Sequence, residues 1–351
     1  MFITFEAFLE WIEKQRRFSP KVSLEKMKKM CEILGNPQKK LKFIHIGGTN
    51  GKGSTVSYVT NILQCAGYNV GAFISPYVVE FNERISYNGE YISNQDVVLH
   101  ANKILLAYPE LTTQNIEPPT FFEFLTLLSF SYFASLREID VVVLEVGLGG
   151  LLDSTNIITP MVSAITNVSY DHMKVLGNTL EEIATNKLGI AKEGIPLVSI
   201  KDHNLADVFL RETNKRNAKL IWVDPKDIVF HSNDLNGVMF DYLTYHHIKV
   251  SLLGAHQAEN AALAITIVEQ LPDTFLISKE NIYQGLYQTK WPGRLEVIQK
   301  NPVVLLDGAH NIGGITRLAA FLDIIKKEFR IILVFAVSQD KEKNEMIHTI
   351  E

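Results

Sequence analysis

The stretch richest in chemical possibility is Gly47-Gly48-Thr49-Asn50-Gly51-Lys52-Gly53-Ser54-Thr55. Glycines let backbone come close to a ligand, the free N–H groups of a helix start attract anions, and a lysine adds a mobile positive charge. Those residue types in that order suit the phosphates of a nucleotide. The strict G-x-x-x-x-G-K-[ST] pattern is not met, because Ile46 stands at its first glycine and Gly53 follows the lysine. A flexible Gly-rich turn is the plainer alternative. A nucleotide polyphosphate also calls for a metal held by hard oxygens, and Glu145, closing the run Val-Val-Val-Leu-Glu, offers a carboxylate. Asp171-His172 follows the strand-like Ala164-Ile165-Thr166-Asn167-Val168. Taken singly, Glu145 reads equally as an edge charge, whereas a lone His172 is ordinarily a surface or hydrogen-bonded core imidazole and Lys187 a solvated helix charge.

These residues need particular elements to place them. Phe43-Ile44-His45-Ile46 is short, apolar and followed at once by glycine, as a buried parallel strand is. From Ser54 the residues Val56, Val59, Leu63 and Ala66 recur at helical spacing, and Gly67 sits where that helix should stop. The expectation is strand, Gly-rich loop, helix. Further strands are expected at 70–74, 140–146, 161–166, 303–306 and 330–337, with a helix over 315–327. Alternation of such runs with helical patterns predicts an α/β fold: a P-loop, doubly wound, mostly parallel sheet followed by a smaller Rossmann-like α/β unit. Glu145 then emerges at the carboxyl end of a strand, where open α/β sheets gather their ligands.

At 351 residues the chain has room for two domains of about 150 residues or more. Pro and Gly at Trp291-Pro292-Gly293 mark the expected boundary, giving an ATP-binding unit over 1–295 and a C-terminal α/β unit over 296–351. So short a second unit, against about 30 residues for each βαβ turn, is expected to be incomplete. The net charge of −5 argues against bulk nucleic-acid binding, which needs an excess of clustered Lys and Arg. Cys31 and Cys65 are too few for a disulfide framework. The amino terminus, interrupted by Glu6, Glu10 and Glu13, reads as an amphipathic helix rather than a signal peptide. The apolar run 121–136 contains Glu123 and falls short of the roughly 20 residues a bilayer span needs. A cytoplasmic monomer without membrane or nucleic-acid partners is expected.

Several blocks together resemble the folylpolyglutamate synthase and dihydrofolate synthase family, a branch of the Mur ligases. They are GGTNGKGST, SPYVVEFNERIS, EVGLGGLLDSTN, ITNVSYDHMKVLGNTLEEIATNKLGIAKEG, LLGAHQAENAALA, WPGRLE and LDGAHN, in the family's order from residue 47 to residue 311. The resemblance implies an ATP-dependent ligase that joins L-glutamate to the γ-carboxyl of a reduced folate, or to dihydropteroate, through an acyl phosphate. A carboxylate acylates poorly because oxide is a bad leaving group, and phosphorylation removes that obstacle. Positive charge must then meet the transferring phosphoryl group.

Position by position, the resemblance implies that Gly51, Lys52, Gly53 and Ser54 hold the ATP phosphates. It implies that Ser75 and Glu145 hold one Mg²⁺ and His172 a second. Lys52, His172 and Lys187 are the implied catalytic residues, and Lys187 matches the lysine the family carries as a carbamate. Asn260, Arg294, Asp307 and His310 match nucleotide-side positions. Without the resemblance, Asn260 reads as a cap, Arg294 as a salt-bridge partner and Asp307 as a turn former. The folate side would include Phe81 and Arg84, the run Thr120, Phe121, Phe122 and Glu123, and Leu152, Asp153 and Ser154. By residue type alone, Phe121 and Phe122 read first as the start of a core helix. Leu151 stands where the family usually has Arg. Two alternatives stay open: a different Mur-type amide ligase, and a shortened nucleotide-binding module without ligase activity.

Overall fold

The computed structural model describes residues 1–17, 23–337 and 343–350. Eight strands form the main sheet: β1 (Phe43–Gly47), β2 (Val70–Phe73), β3 (Ile85–Tyr87), β4 (Glu90–Tyr91), β5 (Val141–Glu145), β6 (Val162–Ile165), β7 (Leu197–Ile200) and β8 (Leu220–Val223). Their order is β4-β3-β2-β5-β1-β6-β7-β8. The six strands from β2 to β8 in that order run parallel, and β3 and β4 extend one edge as an antiparallel pair. β1 and β5 are buried along their whole length, which is why they read as unbroken apolar runs rather than alternating ones.

Helices cover both faces. Lys52–Cys65, His256–Glu269 and Lys279–Gln288 supply Val59, Leu63, Leu263 and Leu286 to the core on one side. Phe5–Glu13, Asn94–Leu106 and Phe121–Phe133 supply Phe8, Val97, Phe124 and Phe130 on the other. The helix 52–65 begins where the loop delivers it and ends before Gly67, whose φ of 87° is left-handed. Among the described residues, no helix is long and apolar enough to cross a membrane.

A second sheet follows, of β9 (Ile228–Asp234), β10 (Gly237–Tyr242) and β11 (Tyr245–Val250), antiparallel in the order β11-β10-β9. The sequence reading missed it. Its signals were Asn236-Gly237, a strong hairpin dipeptide, and alternating burial along β10, with Val238, Phe240 and Tyr242 inward.

Past Trp291-Pro292-Gly293 the chain forms β12 (Glu296–Lys300) and β13 (Val303–Leu306), paired antiparallel, and then the helix Ile312–Ile325. That helix packs through Phe321 and Ile325 onto Leu253 and Leu295, a small separate core. The strand expected over 330–337 does not form. Strand structure needs a neighbour's hydrogen bonds, and no described strand lies beside this segment, so Ile332 and Val334 remain 82% and 92% exposed. Residues 338–342 and 351 of the expected C-terminal unit lie outside the described residues.

Candidate active site

Four adjacent strands, β2, β5, β1 and β6, deliver polar residues from their carboxyl ends to one place. β1 leads into the glycine loop, β2 into Ser75, β5 ends at Glu145, and β6 leads into Asn167–His172. They line a cleft of about 190 Å³ whose far wall is the segment from Arg294 to Leu318.

The loop is held in shape by the end of β6. Thr49 N donates to the Asn167 carbonyl at 2.9 Å, Asn50 N donates to Asn167 Oδ1 at 2.9 Å, and Thr166 Oγ1 donates to the Asn50 carbonyl at 2.6 Å. Close approach explains two glycines. A Cβ on Gly48 would lie 1.9 Å from Thr166 Oγ1, and one on Gly51 would lie 2.5 Å from Asn260 Oδ1, each at a left-handed φ. The first N–H groups of helix 52–65 thus open onto the cleft with no side-chain cap.

Two lysines and one carboxylate sit beneath it. Lys52 Nζ donates to the Thr49 carbonyl at 3.0 Å and lies 3.9 Å from Glu145 Oε1. Glu145 is 4% exposed and accepts from Ser75 N at 3.1 Å. Burial pushes its carboxyl above the usual range, against the pull of Lys52 and that amide. Lys187 is 3% exposed, and its Nζ donates to the Gly48 carbonyl at 2.9 Å. Burial, with the Lys52 charge adding to it, brings Lys187 down to about 7. An amine poised there is partly neutral near pH 7, and so nucleophilic.

Of the residues singled out from sequence, Gly51, Lys52, Gly53, Ser54, Ser75, Glu145, His172, Lys187, Asn260, Arg294, Asp307 and His310 all line this cleft. His172 is at a φ of 48°, next to Asp171, with Nε2 3.8 Å from Asp171 Oδ1. Asn260 donates to Gln257 Oε1 at 3.0 Å, while its buried Oδ1 has no protein partner. That orphaned acceptor, on a cleft-lining side chain beside Gly51, leaves room for one further donor. Asp307 does what a turn former does: its two oxygens accept from Leu295 N at 2.9 Å and Ala309 N at 2.8 Å.

The folate-side candidates lie outside the cleft lining. Arg84 reaches its edge: its Nη1 donates to Ser75 Oγ at 3.3 Å, and its buried Nε has no partner. Arg84 and Phe81 belong to a turn built around Glu83, whose carboxylate accepts from Val78, Val79 and Glu80 N at 2.7, 2.8 and 2.9 Å. Thr120 and Glu123 cap helix 121–133 reciprocally, and Glu123 also pairs with Lys26 at 2.7 Å. Phe121 is in the core beneath Arg17 and Arg84, and Phe122 lies against Gly147. Asp153 accepts from Leu148 N and Thr155 N, Ser154 bonds Thr126, and Leu152, like Leu151, is exposed.

Two residues not assigned from sequence join the two walls, and a third lines the cleft between them. Asn311 donates to Asn50 Oδ1 at 3.1 Å and to Asp171 Oδ2 at 3.4 Å while capping helix 312–325. Arg317 approaches Glu259 at 3.7 Å. His256 lines the cleft, brought down to about 3 by burial and the Arg317 and Arg294 charges. Asn311 and His256 stood in the quoted blocks LDGAHN and LLGAHQAENAALA, the signal available for them.

Comparison with known proteins gives a consistent answer. The Mur ligase middle domain matches residues 46–268, and the Mur ligase glutamate ligase domain matches residues 293–350. A dihydrofolate synthase/folylpolyglutamate synthase of Bacillus subtilis is 40% identical over 362 aligned positions, covering all of this chain and 84% of that protein. The crystal structure of a folylpolyglutamate synthase from Thermotoga maritima superposes with a TM-score of 0.88 at 35% identity, over 98% of this chain and 80% of that one. An FPGS–AMPPCP–folate complex superposes with a TM-score of 0.85 at 33% identity, over 94% and 82% of the two chains. A likeness that spans nearly the whole chain, in sequence and in fold, places this protein in the folylpolyglutamate synthase/dihydrofolate synthase family of Mur ligases.

Proposed function

We propose that this protein is a MgATP-dependent folate:L-glutamate ligase that forms a γ-linked amide. The observation that carries the reading is the convergence of Lys52, Glu145 and Lys187 beneath an uncapped helix start, at the carboxyl edge of the sheet. Crowded anions are what such a place accommodates. Relatives named for this reaction, and one solved with AMPPCP and folate, support the same reading.

In this reading the γ-carboxylate oxygen of folate attacks the γ-phosphorus of ATP, breaking its bond to ADP. The glutamate amine then attacks the acyl carbon and phosphate leaves, the amine losing a proton. Bound Mg²⁺ supplies charge screening between the triphosphate and the carboxylate. The donor set fits that ion: the Glu145 carboxylate and the Ser75 hydroxyl are hard oxygens beside the loop, and the imidazole of His172 opens onto the same cleft. Gly51, Gly53 and Ser54 would hold phosphates through backbone and hydroxyl donors, with Lys52 balancing the charge that moves off ATP. Asn260 would accept from the nucleotide, and Arg294 and His310 would close over it from the far wall. Arg84, with one guanidinium donor unused beside Ser75, would meet the folate carboxylate. A carbamate on Lys187 would turn a cation into an anionic metal partner.

A coupled assay of ADP and phosphate release tests the proposal. Turnover should require both a reduced folate and L-glutamate. Release that proceeds without either would sink the reading. Replacing folate by dihydropteroate in a parallel reaction separates dihydrofolate synthase activity from polyglutamylation.

A further inference from the structure

The antiparallel sheet holds a second group of ligating side chains, none of which lines the cleft. Asp241 lies in β10 between two irregularities. On one side Met239 pairs with Ser232 and Phe240 with Phe230, so His231 is an extra residue in β9. On the other, Phe240 pairs with Ile248 and Tyr242 with Tyr245, which sets both His246 and His247 of β11 opposite Asp241. His247 takes a φ of 54° there, a left-handed conformation rare for a residue other than glycine. Bulges re-aim side chains, and these two aim imidazoles at one carboxylate. His231 Nε2 lies 2.7 Å from Asp241 Oδ1, His246 Nδ1 lies 3.3 Å from Oδ2, and the rings of His231 and His247 are 5.2 Å apart.

One ligand atom from each of His231, Asp241 and His247 falls within 4.8 Å of the others. Beneath them, Phe240, Tyr242 and Ile248 are fully buried, so the three stand on a rigid floor. Three imidazoles and the His247 N–H, at 2.7 Å, crowd this one carboxylate. Two imidazoles and a carboxylate are borderline donors that match zinc-class ions better than magnesium or calcium, and three protein ligands leave a fourth position open.

We propose that His231, Asp241 and His247 form a binding site for one divalent transition-metal ion of the Zn²⁺ class. Binding replaces the His231 Nε2–Asp241 Oδ1 hydrogen bond with a bond from each of those atoms to the ion. The ion ties both outer strands of this sheet to its centre. It is separate from the Mg²⁺ proposed for the ligase cleft and does not depend on that reading.

The test uses the full chain, stripped with EDTA and returned to buffer with saturating Mg²⁺ and AMPPCP to fill the cleft. Zn²⁺ alone is titrated against a chromophoric chelator into the native protein and the variant H231Q/H247Q. The native chain should bind one more equivalent than the variant, or bind it on the order of 100-fold more tightly. Co²⁺ should give the native chain visible d–d absorption that the variant lacks. Equal stoichiometry and affinity in the two proteins, with the same Co²⁺ spectrum, would overturn the proposal and leave a hydrogen-bonded surface cluster. Circular dichroism and melting in EDTA establish that the variant folds. If it does not, H247Q alone removes one donor and is judged by the same two readouts.

Discussion

The two walls of the cleft are held by different means. The sheet wall, from β1 with its glycine loop to β5 and β6, is anchored by strands buried end to end and by a dense set of hydrogen bonds to Thr166 and Asn167. The far wall, Arg294 to Leu318, rests on a core of four buried side chains, Leu253, Leu295, Phe321 and Ile325. Its polar links to the first wall include the Asn50–Asn311 pair and the Glu259–Arg317 contact. One wall is therefore preorganised by the fold, whereas the other owes its position to a handful of side chains. Charge chemistry that needs fixed dipoles belongs on the first, and opening and closing around a nucleotide belongs on the second.

The largest effect should come from the rigid wall. Lys52→Ala is expected to lower ATP turnover by three orders of magnitude or more, about 4 kcal/mol in the barrier, with the melting temperature nearly unchanged. Lys52 makes one backbone hydrogen bond and a 3.9 Å ion pair, neither of which the core depends on. A collapse of ligand-free stability in that variant would mean the lysine is structural. Phe321→Ala should then remove about 3 kcal/mol from the second wall alone. Hydrogen exchange should speed up across Glu296–Ile325 and stay slow in β1 and β5. Uniform acceleration would mean that the two walls unfold as one.

Lys187→Met sharpens the contrast by separating stability from function. The folded lysine titrates near 7 against an ordinary value of 10.5, so between those pH values the unfolded chain binds more protons and stability rises with pH. The burial penalty is complete below pH 7 and gone above about 10.5. Without Mg²⁺ or bicarbonate, the variant should be more stable than the native chain by about 1–3 kcal/mol at pH 7, allowing for the lost bond to Gly48, and the gap should close as pH rises. Its ligase activity should be lost. Thermal melts across that range check the sign. The smallest effect is expected from Asn311→Ala, about 1 kcal/mol for the helix cap with a similar loss of wall-to-wall contact. Asn311→Asp keeps the cap but removes the donor to Asn50, so a drop in nucleotide affinity common to both variants isolates the contact.

Much of the rigid wall was legible along the chain. A strand ending in glycines, a lysine at a helix start and a glutamate closing a valine run are local patterns, and each formed where expected. The second wall was less so. Val303–Leu306 is a strand, yet its partner is the hairpin neighbour Glu296–Lys300, and 330–337 has no partner among the described residues. An apolar run states that a strand is feasible and not what it pairs with. The folate-side candidates Thr120, Glu123, Asp153 and Ser154 hold caps and turns in this structure, roles that residue type alone did not distinguish from binding. The sheet β9–β11 carried a hairpin dipeptide and an alternating central strand, but its bulges at His231 and at His246 and His247 break the alternation in the two outer strands.

Backbone sterics and periodicity act over a few residues, so the amino-acid order alone determined the loop, its helix and the apolar strands that frame them. Which strands lie side by side depends on interactions between residues far apart in the chain. Only the order β2-β5-β1-β6 brings Ser75, Glu145, the glycine loop and Asp171 to one edge. The poise of Lys187 belongs to that level as well: a lysine titrates near 7 because packing has stripped its water, and no letter in the sequence records how deeply a side chain will be buried.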